Sequence, residues 1–465
     1  MRDILLAVRD TAAAKGVKFA DARGVTTERT YISRQDGRAD RMSKQQSQGI
    51  GVRVLKGGSW GFAVTNVVTR DSALGCLDEA ISAASLTTPK VDVELAKAPA
   101  IEAVARSEYE KDPREISSQV KMDVLRAHES EALRVAGSKA ANTIVTLSDS
   151  VTRTLVCNTD GTVVDHEQVR VNIACRLVAA EGGVRQSAYE IKARVAGWEA
   201  IEAVEPDELS VLAATKALRL LSARKAPAGV FPVVLHPTVV GVFIHEAFGH
   251  NAEADLVLAG ESILEGKLQS LVASPLVNVV DDATLPKLWG SYDYDSEGLP
   301  AARRQIIKDG VLVGFMHNLE SAGRMGVEPN GSGRADGYAA RPIVRMSNTI
   351  MEAGETPVEE MIAGIDHGIL MEDGRWGYVF CQKGQYTLNA GGGRMIRNGE
   401  LAEPVRDVCM VGMVLETLHN VDAVSREFEL AWGGGTCGKN GQGMPVSGGG
   451  PFVRVADMVV GGQDS

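Results

Sequence analysis

The first 225 residues pass twice through the same order of helical and strand patterns. Apolar residues recur at helical spacing over 2–15 and again over 70–86. Between these helices, short runs alternate apolar and polar side chains and are separated by DG and KGG turn signals, which predicts an antiparallel meander. A helical pattern over 114–137, further strands and a helical pattern over 205–223 then repeat this order. The first half is therefore predicted to be an N-terminal domain of helices and antiparallel sheet.

Beyond KAPAG, at 225–229, strands and glycines become more frequent. A strand of buried character, VFPVVLH, ends just before Pro237, which stands where the first turn of a helix would begin. Further predicted strands include GVLVGFMHNL and RMSNTIM, while a Pro/Ala/Val stretch near 89–100 is interpreted as a linker. Because helices and strands do not alternate regularly, we predict an α+β fold and not a doubly wound sheet. The predicted domains are 1–225 and 226–465, the second being a mixed, β-rich domain that carries the helix begun at Pro237.

Composition and charge exclude several classes of protein. The net charge of -11 argues against nucleic acid as the main partner, because phosphate binding needs a basic face. The most apolar segment, VFPVVLHPTVVGVFI, is too short to span a membrane, so no membrane partner is expected. The six cysteines are scattered singly without a CxxC pair. In a chain of this length that pattern indicates reduced thiols, and we expect a cytoplasmic protein.

The segment HEAFGH places His245 and His250 five residues apart on the predicted helix. Zinc proteases normally space such histidines four apart, as H-E-x-x-H. On a regular helix, five residues turn through roughly 500° and leave the second side chain about 140° from the first. A π-bulge would make an i→i+5 turn and bring both side chains to one side. Gly249 lies inside the segment to be bulged and offers the least resistance to a distorted backbone.

The polar residues of this motif interrupt an otherwise apolar stretch, VVGVFI. Burying an unpaired carboxylate there would cost several kcal/mol. Zinc ligation at about 2.0–2.1 Å would satisfy both imidazoles and leave Glu246 facing a bound water. The alternative is a pair of solvated histidines at a helix end. The position of Glu246 directly after His245 favours the metal site.

A third protein ligand must come from another part of the chain. Glu253 and Asp255 are the near candidates, and Cys437, which lies among glycines in AWGGGTCGKNGQG, is the distant one. The same segment contains G-x-x-x-x-G-K, the start of a phosphate-binding loop. Residue 440 is Asn where that motif has Ser or Thr, and GQGMPVSGGGP does not form a helix, so this interpretation is rejected.

Five blocks in order resemble the TldD/PmbA family of peptidases: HEAFGHNAEAD, DSEGLPAARRQIIKDGVLVGFMHN, ARPIVRMSNTIMEAG, GELAEPVRDVCMVG and TCGKNGQGMPV. They span essentially the whole second half, and the meander of the first half matches more weakly. The resemblance is to the catalytic, TldD-type subunit. It implies one zinc ion per chain, held by His245, His250 and Cys437, with Glu246 as the catalytic glutamate. It also implies a dimer, formed with itself or with a PmbA-type chain.

The resemblance predicts a zinc metallopeptidase that hydrolyses unfolded or extended peptides. Two alternatives stay open: a dipeptidyl-peptidase-like zinc hydrolase with a glutamate as third ligand, and a non-enzymatic modulator subunit with a structural metal. A structural zinc would have four protein ligands. His317 could orient a substrate carbonyl, although it is also interpreted as an ordinary core or surface histidine. The residues predicted to contact substrate are Gly434, Gly435, Tyr292, Asp293 and His317.

Overall fold

The strands of the first half join in a single sheet in the computed structural model, which describes residues 1–86, 92–430 and 433–462. The strands are β1 (Phe19–Gln35), β2 (Arg38–Lys56), β3 (Ser59–Thr65), β4 (Glu102–Arg106), β5 (Ala140–Asn158), β6 (Val163–Glu181) and β7 (Val184–Arg194). Their order is β3-β2-β1-β5-β6-β4, and β7 pairs with β6. Strands β1 and β5 pair directly, so the two repeated halves of the sequence pattern share one sheet.

Helices cover one face of this sheet. They are α1 (Arg2–Ala14), α2 (Arg70–Leu86), α3 (Ser118–Ala136), α4 (Glu199–Glu202) and α5 (Leu212–Ser222). The apolar positions of α1 pack on β1 and β5, and those of α2 pack on β2, in one core that includes Ile50 and Val52. The apolar positions of α3 and α5 share a second core with Ile173 and Cys175 of β6. Side chains alternate along a strand, so the residues between these core positions point to the opposite face. That opposite face is turned toward the second half of the chain.

The helices follow the predicted patterns closely, with one local difference. The pattern over 70–86 coincides with α2, and the helix predicted over 2–15 is α1. The helix predicted over 205–223 begins with a π turn at Asp207–Val211 before α5 continues it. Of the predicted linker at 89–100, residues 89–91 lie outside the described residues, and 92–100 form neither helix nor strand.

The second half forms a larger mixed sheet. Its strands are β8 (Arg224–Lys225), β9 (Gly229–Leu235), β10 (Val279–Asp282), β11 (Arg303–Lys308), β12 (Val311–Leu312), β15 (Asn348–Met351), β16 (His367–Phe380), β17 (Gln385–Arg397), β18 (Glu400–Met413), β19 (Val421–Glu429), β20 (Gly435–Lys439) and β21 (Gln442–Gly462), and a separate pair is β13 (Gly333–Arg334) with β14 (Ile343–Val344). The main order is β12-β11-β10-β15-β21-β9-β16-β17-β18-β8, with β19 and β20 on β21. Helices and mainly antiparallel strands thus confirm the predicted mixture of α and β structure.

The helices of this half are short. They are α6 (Pro237–Phe243), α7 (Ala254–Leu258), α8 (Leu319–Met325), α9 (Val358–Ala363) and α10 (Val414–His419). The strand predicted for GVLVGFMHNL is shorter than expected. Among the described residues, Val311 and Leu312 pair with β11, Met316 forms an isolated bridge to Glu253, and Asn318 already caps α8. No helix in the described part of the chain is long and apolar enough to cross a membrane.

Helix α6 lies buried against the glycine-rich strand β21. Pro237 occupies its first turn, as predicted, and the His236 ring accepts a hydrogen bond from the Thr238 backbone N–H at 3.2 Å. A Cβ on Gly241 would lie 3.0 Å from the backbone nitrogen of Gly449. The absence of side chains on both sides therefore lets the helix approach the sheet. The division into domains at 225/226 stays a prediction; β8, at that point, pairs with β18 of the second sheet.

Candidate metal centre

A π turn brings the two motif histidines to one side of their helix. Residues Ile244–Gly249 continue α6 with π geometry, and His250–Ala252 close it as a single 3₁₀ turn. The ring centroids of His245 and His250 are 5.3 Å apart at an interplanar angle of 80°. The i→i+5 turn predicted from the five-residue spacing is confirmed.

Gly249 serves a different purpose from the one predicted. Its backbone has ordinary helical angles, with φ at -56°, which any residue adopts. A Cβ at this position would collide with the sulfur of Met346. The glycine therefore provides space for a packed neighbour, and the distortion of the helix does not depend on its conformational freedom.

Cys437 reaches the histidines from β20, which pairs with β21 so that Cys437 stands opposite Met444. Its Sγ lies 3.4 Å from Nε2 of His250. One donor atom from each of His245, His250 and Cys437 lies within 4.8 Å of the other two. Burial acts to raise the pKa of the Cys437 thiol, but the adjacent histidines outweigh it and lower that pKa to about 4. A thiolate and two imidazoles are the donor types that zinc prefers in proteins.

Glu246 stands beside this group and faces an open cleft. Its side chain is 27% exposed, and its Oε2 lies 4.0 Å from Nε2 of His250. Burial raises the pKa of this carboxyl, and the charges of His245 and His250 oppose the rise. A Cβ on Gly377 of β16 would lie 2.9 Å from the Glu246 Cγ, so the glycine leaves room for the side chain. A carboxyl with a raised pKa at the mouth of a donor cluster is suited to exchanging protons with a substrate.

Glu253 and Asp255, the near candidates for a third ligand, are turned toward a lysine instead. Glu253 is fully buried, and its Oε2 lies 2.9 Å from Nδ1 of His250 and 3.1 Å from Nζ of Lys439. Asp255 accepts a hydrogen bond from the same Lys439 Nζ at 2.7 Å. Burial acts to raise the pKa of Glu253, but Lys439 and His250 lower it to about 2. Glu253 thus contacts the ring nitrogen of His250 that faces away from Cys437 and holds that ring in place.

Sequence reasoning missed Lys439 and Arg345. Arg345 is fully buried and donates a hydrogen bond from Nη2 to the Cys437 carbonyl at 2.6 Å, while its Nε lies 4.0 Å from Oε1 of Glu253. Lys439 was considered only as part of a rejected phosphate loop. Lys439 follows Cys437 by two residues on a strand, and alternate residues of a strand share a face. This spacing could have indicated that Lys439 lies on the same side as the candidate ligand.

A cavity of about 1030 Å³ lies between the two sheets, and of the three donor residues His245 lines it. Glu246, Gly434 and Gly435 also line this cavity. A Cβ on Gly434 would lie 3.0 Å from the Trp289 ring. The two glycines predicted to contact substrate therefore line the same cavity as His245 and Glu246.

The other three residues predicted to bind substrate lie elsewhere. Tyr292 is buried, where its hydroxyl donates to the Gly331 carbonyl at 2.7 Å and accepts from Nη2 of Arg304 at 3.0 Å. His317 is buried with Nδ1 3.3 Å from the Ser321 hydroxyl, and burial lowers its pKa to about 4. Asp293 is exposed on a loop outside the cavity. The prediction that these three bind substrate finds no support in this geometry.

Comparison with family models accounts for nearly the whole chain. Residues 20–84 match "PmbA/TldA metallopeptidase domain 1", residues 111–221 match the "PmbA/TldA metallopeptidase central domain", and residues 228–462 match the "PmbA/TldA metallopeptidase C-terminal domain". The first two segments correspond to the two repeats of the first half. The third contains the motif histidines and Cys437.

Curated relatives and solved structures match over the full length. A Methanothermobacter thermautotrophicus protein named a metalloprotease is 38% identical over 96% of both chains. A Haemophilus influenzae TldD homolog is 29% identical over 98% of this chain and 96% of its own. A Thermotoga maritima structure, described as a proposed modulator of a DNA gyrase, superposes with a TM-score of 0.80 at 23% identity over 99% of this chain and all of its own. The structure of TldE from Thermococcus kodakarensis superposes with a TM-score of 0.78 at 16% identity, over 99% of this chain and all of its own. The chain belongs to the PmbA/TldD family.

Proposed function

We propose that this protein is a cytosolic zinc metallopeptidase that hydrolyses unfolded or extended peptides. The observation that carries the proposal is the convergence of His245, His250 and Cys437 within 4.8 Å, with Glu246 beside them in an open cleft. Relatives bear the name metalloprotease, and one, from Saccharolobus solfataricus, is named a zinc metalloprotease TldD homolog at 26% identity. The cytosolic part rests on six free cysteine thiols, which suit a reducing compartment.

The donor set fits one zinc ion. Two ligands of a tetrahedral zinc are separated by roughly 3.5 Å, given Zn–N and Zn–S bonds of about 2.0 and 2.3 Å. The separation of 3.4 Å between Cys437 Sγ and His250 Nε2 agrees with this value. The group comprises three donors among the described residues, which is the number typical of a catalytic site. A bound zinc would supply Lewis acidity that polarises the scissile carbonyl and lowers the pKa of a water molecule.

Glu246 is assigned the proton transfers. Its carboxylate lies beside the donor cluster and faces the cleft, where it can accept a proton from the attacking water and pass it to the leaving amine. The raised pKa of this carboxyl brings it closer to neutral pH, which suits a group that must both take and give a proton. Glu253, held by Lys439, keeps the His250 ring oriented.

The edge of the first sheet favours an extended substrate. Within the described chain β6 is the only strand that pairs with β7. Residues Ser187 to Ile191 of β7 line the cleft, where the Ser187 carbonyl accepts a hydrogen bond from Arg375. An unpaired edge offers backbone groups to a peptide that adds as a strand, and Gly434 and Gly435 leave room for a second backbone. Such binding depends on the peptide being unfolded more than on its side chains.

A cleavage assay tests the proposed function. The natively folded form of a small domain and a destabilised, unfolded variant of the same sequence length are offered to the protein, with and without a zinc chelator. We expect cleavage of the unfolded form only, and only without chelator. Equal cleavage of both forms, or cleavage that persists after zinc is shown to be removed, would contradict the proposal.

The alternative of a glutamate as third ligand is less well supported. Both oxygens of Glu253 face cations, Lys439 at 3.1 Å and Arg345 at 4.0 Å, and its Oε2 also lies against the far side of the His250 ring. A structural metal in a modulator subunit would require a fourth protein donor. Glu246, whose Oε2 lies 4.0 Å from Nε2 of His250, is turned to the cleft and is not part of the donor group.

Glu253→Gln should weaken zinc binding by about 10–100-fold, the usual effect of removing a group that orients a metal-bound histidine. The substitution keeps the shape of the side chain but removes the charge opposite His250. Competition with a chromophoric chelator measures the affinity, and circular dichroism checks the fold. The matched control is Glu261→Gln, an exposed position on the same segment. An affinity that stays within about threefold of the parent protein, as in the control, would show that Glu253 does not position the ligand.

We also propose a dimer, with itself or with a PmbA-type chain, formed through the aromatic face of β16. Tyr378 and Phe380, alternate residues of this strand, are 64% and 40% exposed. Aromatic side chains contribute large areas to interfaces. Light scattering should show a dimer for the parent protein and monomers for the double variant Tyr378→Lys, Phe380→Lys. The control Leu86→Lys changes an exposed apolar position elsewhere and should leave the dimer intact. Only monomer at micromolar concentration, alone and with a PmbA-type chain, would contradict this.

A further inference from the structure

One wall of the cleft that Glu246 lines is a polar face of the first sheet. Ser43, Tyr31, Ser148 and Asn172 stand in register across β2, β1, β5 and β6, and all line the cavity. These are the alternate residues of the strands whose other face packs on α1, α2, α3 and α5. The wall is therefore continuous with the candidate catalytic site and is built on a rigid sheet.

Three arginines project from this wall without acidic partners. Arg29 of β1, Arg41 of β2 and Arg176 of β6 line the cavity and are exposed. Within the residues that the structure describes, no carboxylate lies within 4.0 Å of any of the three guanidinium groups. The guanidinium carbon of Arg41 lies 5.5 Å from the Tyr31 ring centre, and that of Arg176 lies 5.7 Å from the Tyr189 ring centre. Rings at this distance hold a guanidinium in place and leave its N–H groups available.

The carboxylates of the cleft do not neutralise these arginines. Glu190 and Asp373 both bind Lys216, at 2.7 and 2.5 Å. Glu246 belongs to the candidate catalytic site. The chain as a whole carries a net charge of -11, so this wall is a local concentration of positive charge on an acidic protein. A cleft lined by one sign of charge attracts ligands of the opposite sign.

We propose that Arg29, Arg41 and Arg176 bind acidic side chains of the peptide substrate, so that the cleft selects extended peptides with Asp or Glu at a distance from the scissile bond. This inference rests on the proposed peptidase function. Arg176 is level with Gln35 of β1, because both are in register with Ile144 of β5, and Gln35 lies six residues along β1 from Arg29. The arginines are therefore spread along the strand direction, which is the direction of a peptide that pairs with the sheet edge. Acidic side chains that bind Arg29 and Arg176 would therefore be several residues apart on the peptide. None of the three arginines belongs to the donor cluster, so the selection acts on binding and not on the reacting groups.

The test measures peptide binding without cleavage. Fluorescence anisotropy of 12-residue labelled peptides with blocked ends is recorded on a Glu246→Gln background. One peptide carries two acidic residues near each end, and its partner carries Asn or Gln in their place. Each is bound to the background protein, to a cleft variant (Arg29→Gln, Arg41→Gln, Arg176→Gln) and to a control (Arg70→Gln, Arg126→Gln, Arg134→Gln). The control removes the same charge from exposed positions on α2 and α3, which cover the opposite face of the sheet.

We expect the acidic peptide to bind about tenfold more tightly than its neutral partner, because exposed ion pairs are individually weak but three act together. The preference should be lost in the cleft variant, retained in the control and reduced by 0.5 M salt. Equal binding of the two peptides, or a preference that survives in the cleft variant, would overturn the proposal. The proposal would also be overturned if an oligothymidylate of equal charge displaced the labelled acidic peptide at a lower concentration than the unlabelled acidic peptide does. That result would assign the wall to nucleic acid binding. If the preference is found but the wild-type protein cleaves neither peptide, the peptidase function fails and the assignment of the cleft stands.

Discussion

Replacing Glu246 by Gln should lower the rate of peptide hydrolysis by about 10²–10⁴-fold, the usual contribution of general acid–base catalysis, while zinc content and fold stay unchanged. The carboxylate lies 4.0 Å from a ring nitrogen of His250 and faces the cleft, so it is the group placed to move a proton between water and the leaving amine. Gln keeps the shape and hydrogen-bonding capacity of the side chain but cannot accept that proton. Its side chain is partly exposed, so stability should change little.

Rates on an unfolded protein substrate, measured together with zinc content, check this expectation. Glu265→Gln, at an exposed position of the same half, is the matched control and should keep the parent rate. A Glu246→Gln protein with a full complement of zinc that cleaves within a few-fold of the parent rate would remove Glu246 from the mechanism.

Cys437→Ala should weaken zinc binding by more than about 100-fold and abolish hydrolysis with it. Removing a group that only orients a metal ligand typically lowers the metal affinity by about 10–100-fold, and removing a ligand itself lowers it further. The low pKa of this thiol, about 4, means that it is a thiolate at neutral pH and is ready to bind a metal ion. Cys409→Ala on β18 removes a thiol from a half-buried position in another part of the sheet and should have neither effect.

Elemental analysis after dialysis against a weak chelator measures the loss of zinc. Retention of one zinc per chain in the Cys437→Ala protein would favour a glutamate as third ligand. Loss of zinc in both cysteine variants would indicate a general effect on folding, which circular dichroism of the two proteins would reveal.

Local patterns predicted the elements that position the site. Helix α2 and the start of α6 at Pro237 follow directly from apolar spacing and from the fixed φ of proline. The π turn at Ile244–Gly249 was predicted because two histidines five apart share one side of a helix only with that geometry. Each of these features depends on residues close together in sequence.

Features that depend on distant residues were predicted less well. Lys439 lies 184 residues from the Asp255 carboxylate that it binds, and no local pattern connects them. Gly249 was assigned a conformational role, whereas the Met346 sulfur, from elsewhere in the chain, occupies the space where a Cβ would lie. The loop of Tyr292 and Asp293 was placed in the cleft because loops often carry function, but the direction in which a loop faces is set by its tertiary contacts. The strand predicted at GVLVGFMHNL needed a continuous partner strand, whereas the fold pairs Val311 and Leu312 with β11 and leaves Met316 in an isolated bridge to Glu253.

Zinc-edge X-ray absorption on the purified, zinc-loaded protein tests the central claim most directly, because it counts the nitrogen and sulfur atoms bound to the metal. The site described here predicts one zinc per chain, bound by two imidazole nitrogens and one sulfur. The sulfur signal should disappear in the Cys437→Ala protein and persist in the Cys409→Ala protein. A zinc ion with no sulfur neighbour in the parent protein, or a protein that binds no zinc at micromolar concentration, would contradict the assignment of His245, His250 and Cys437 as its ligands.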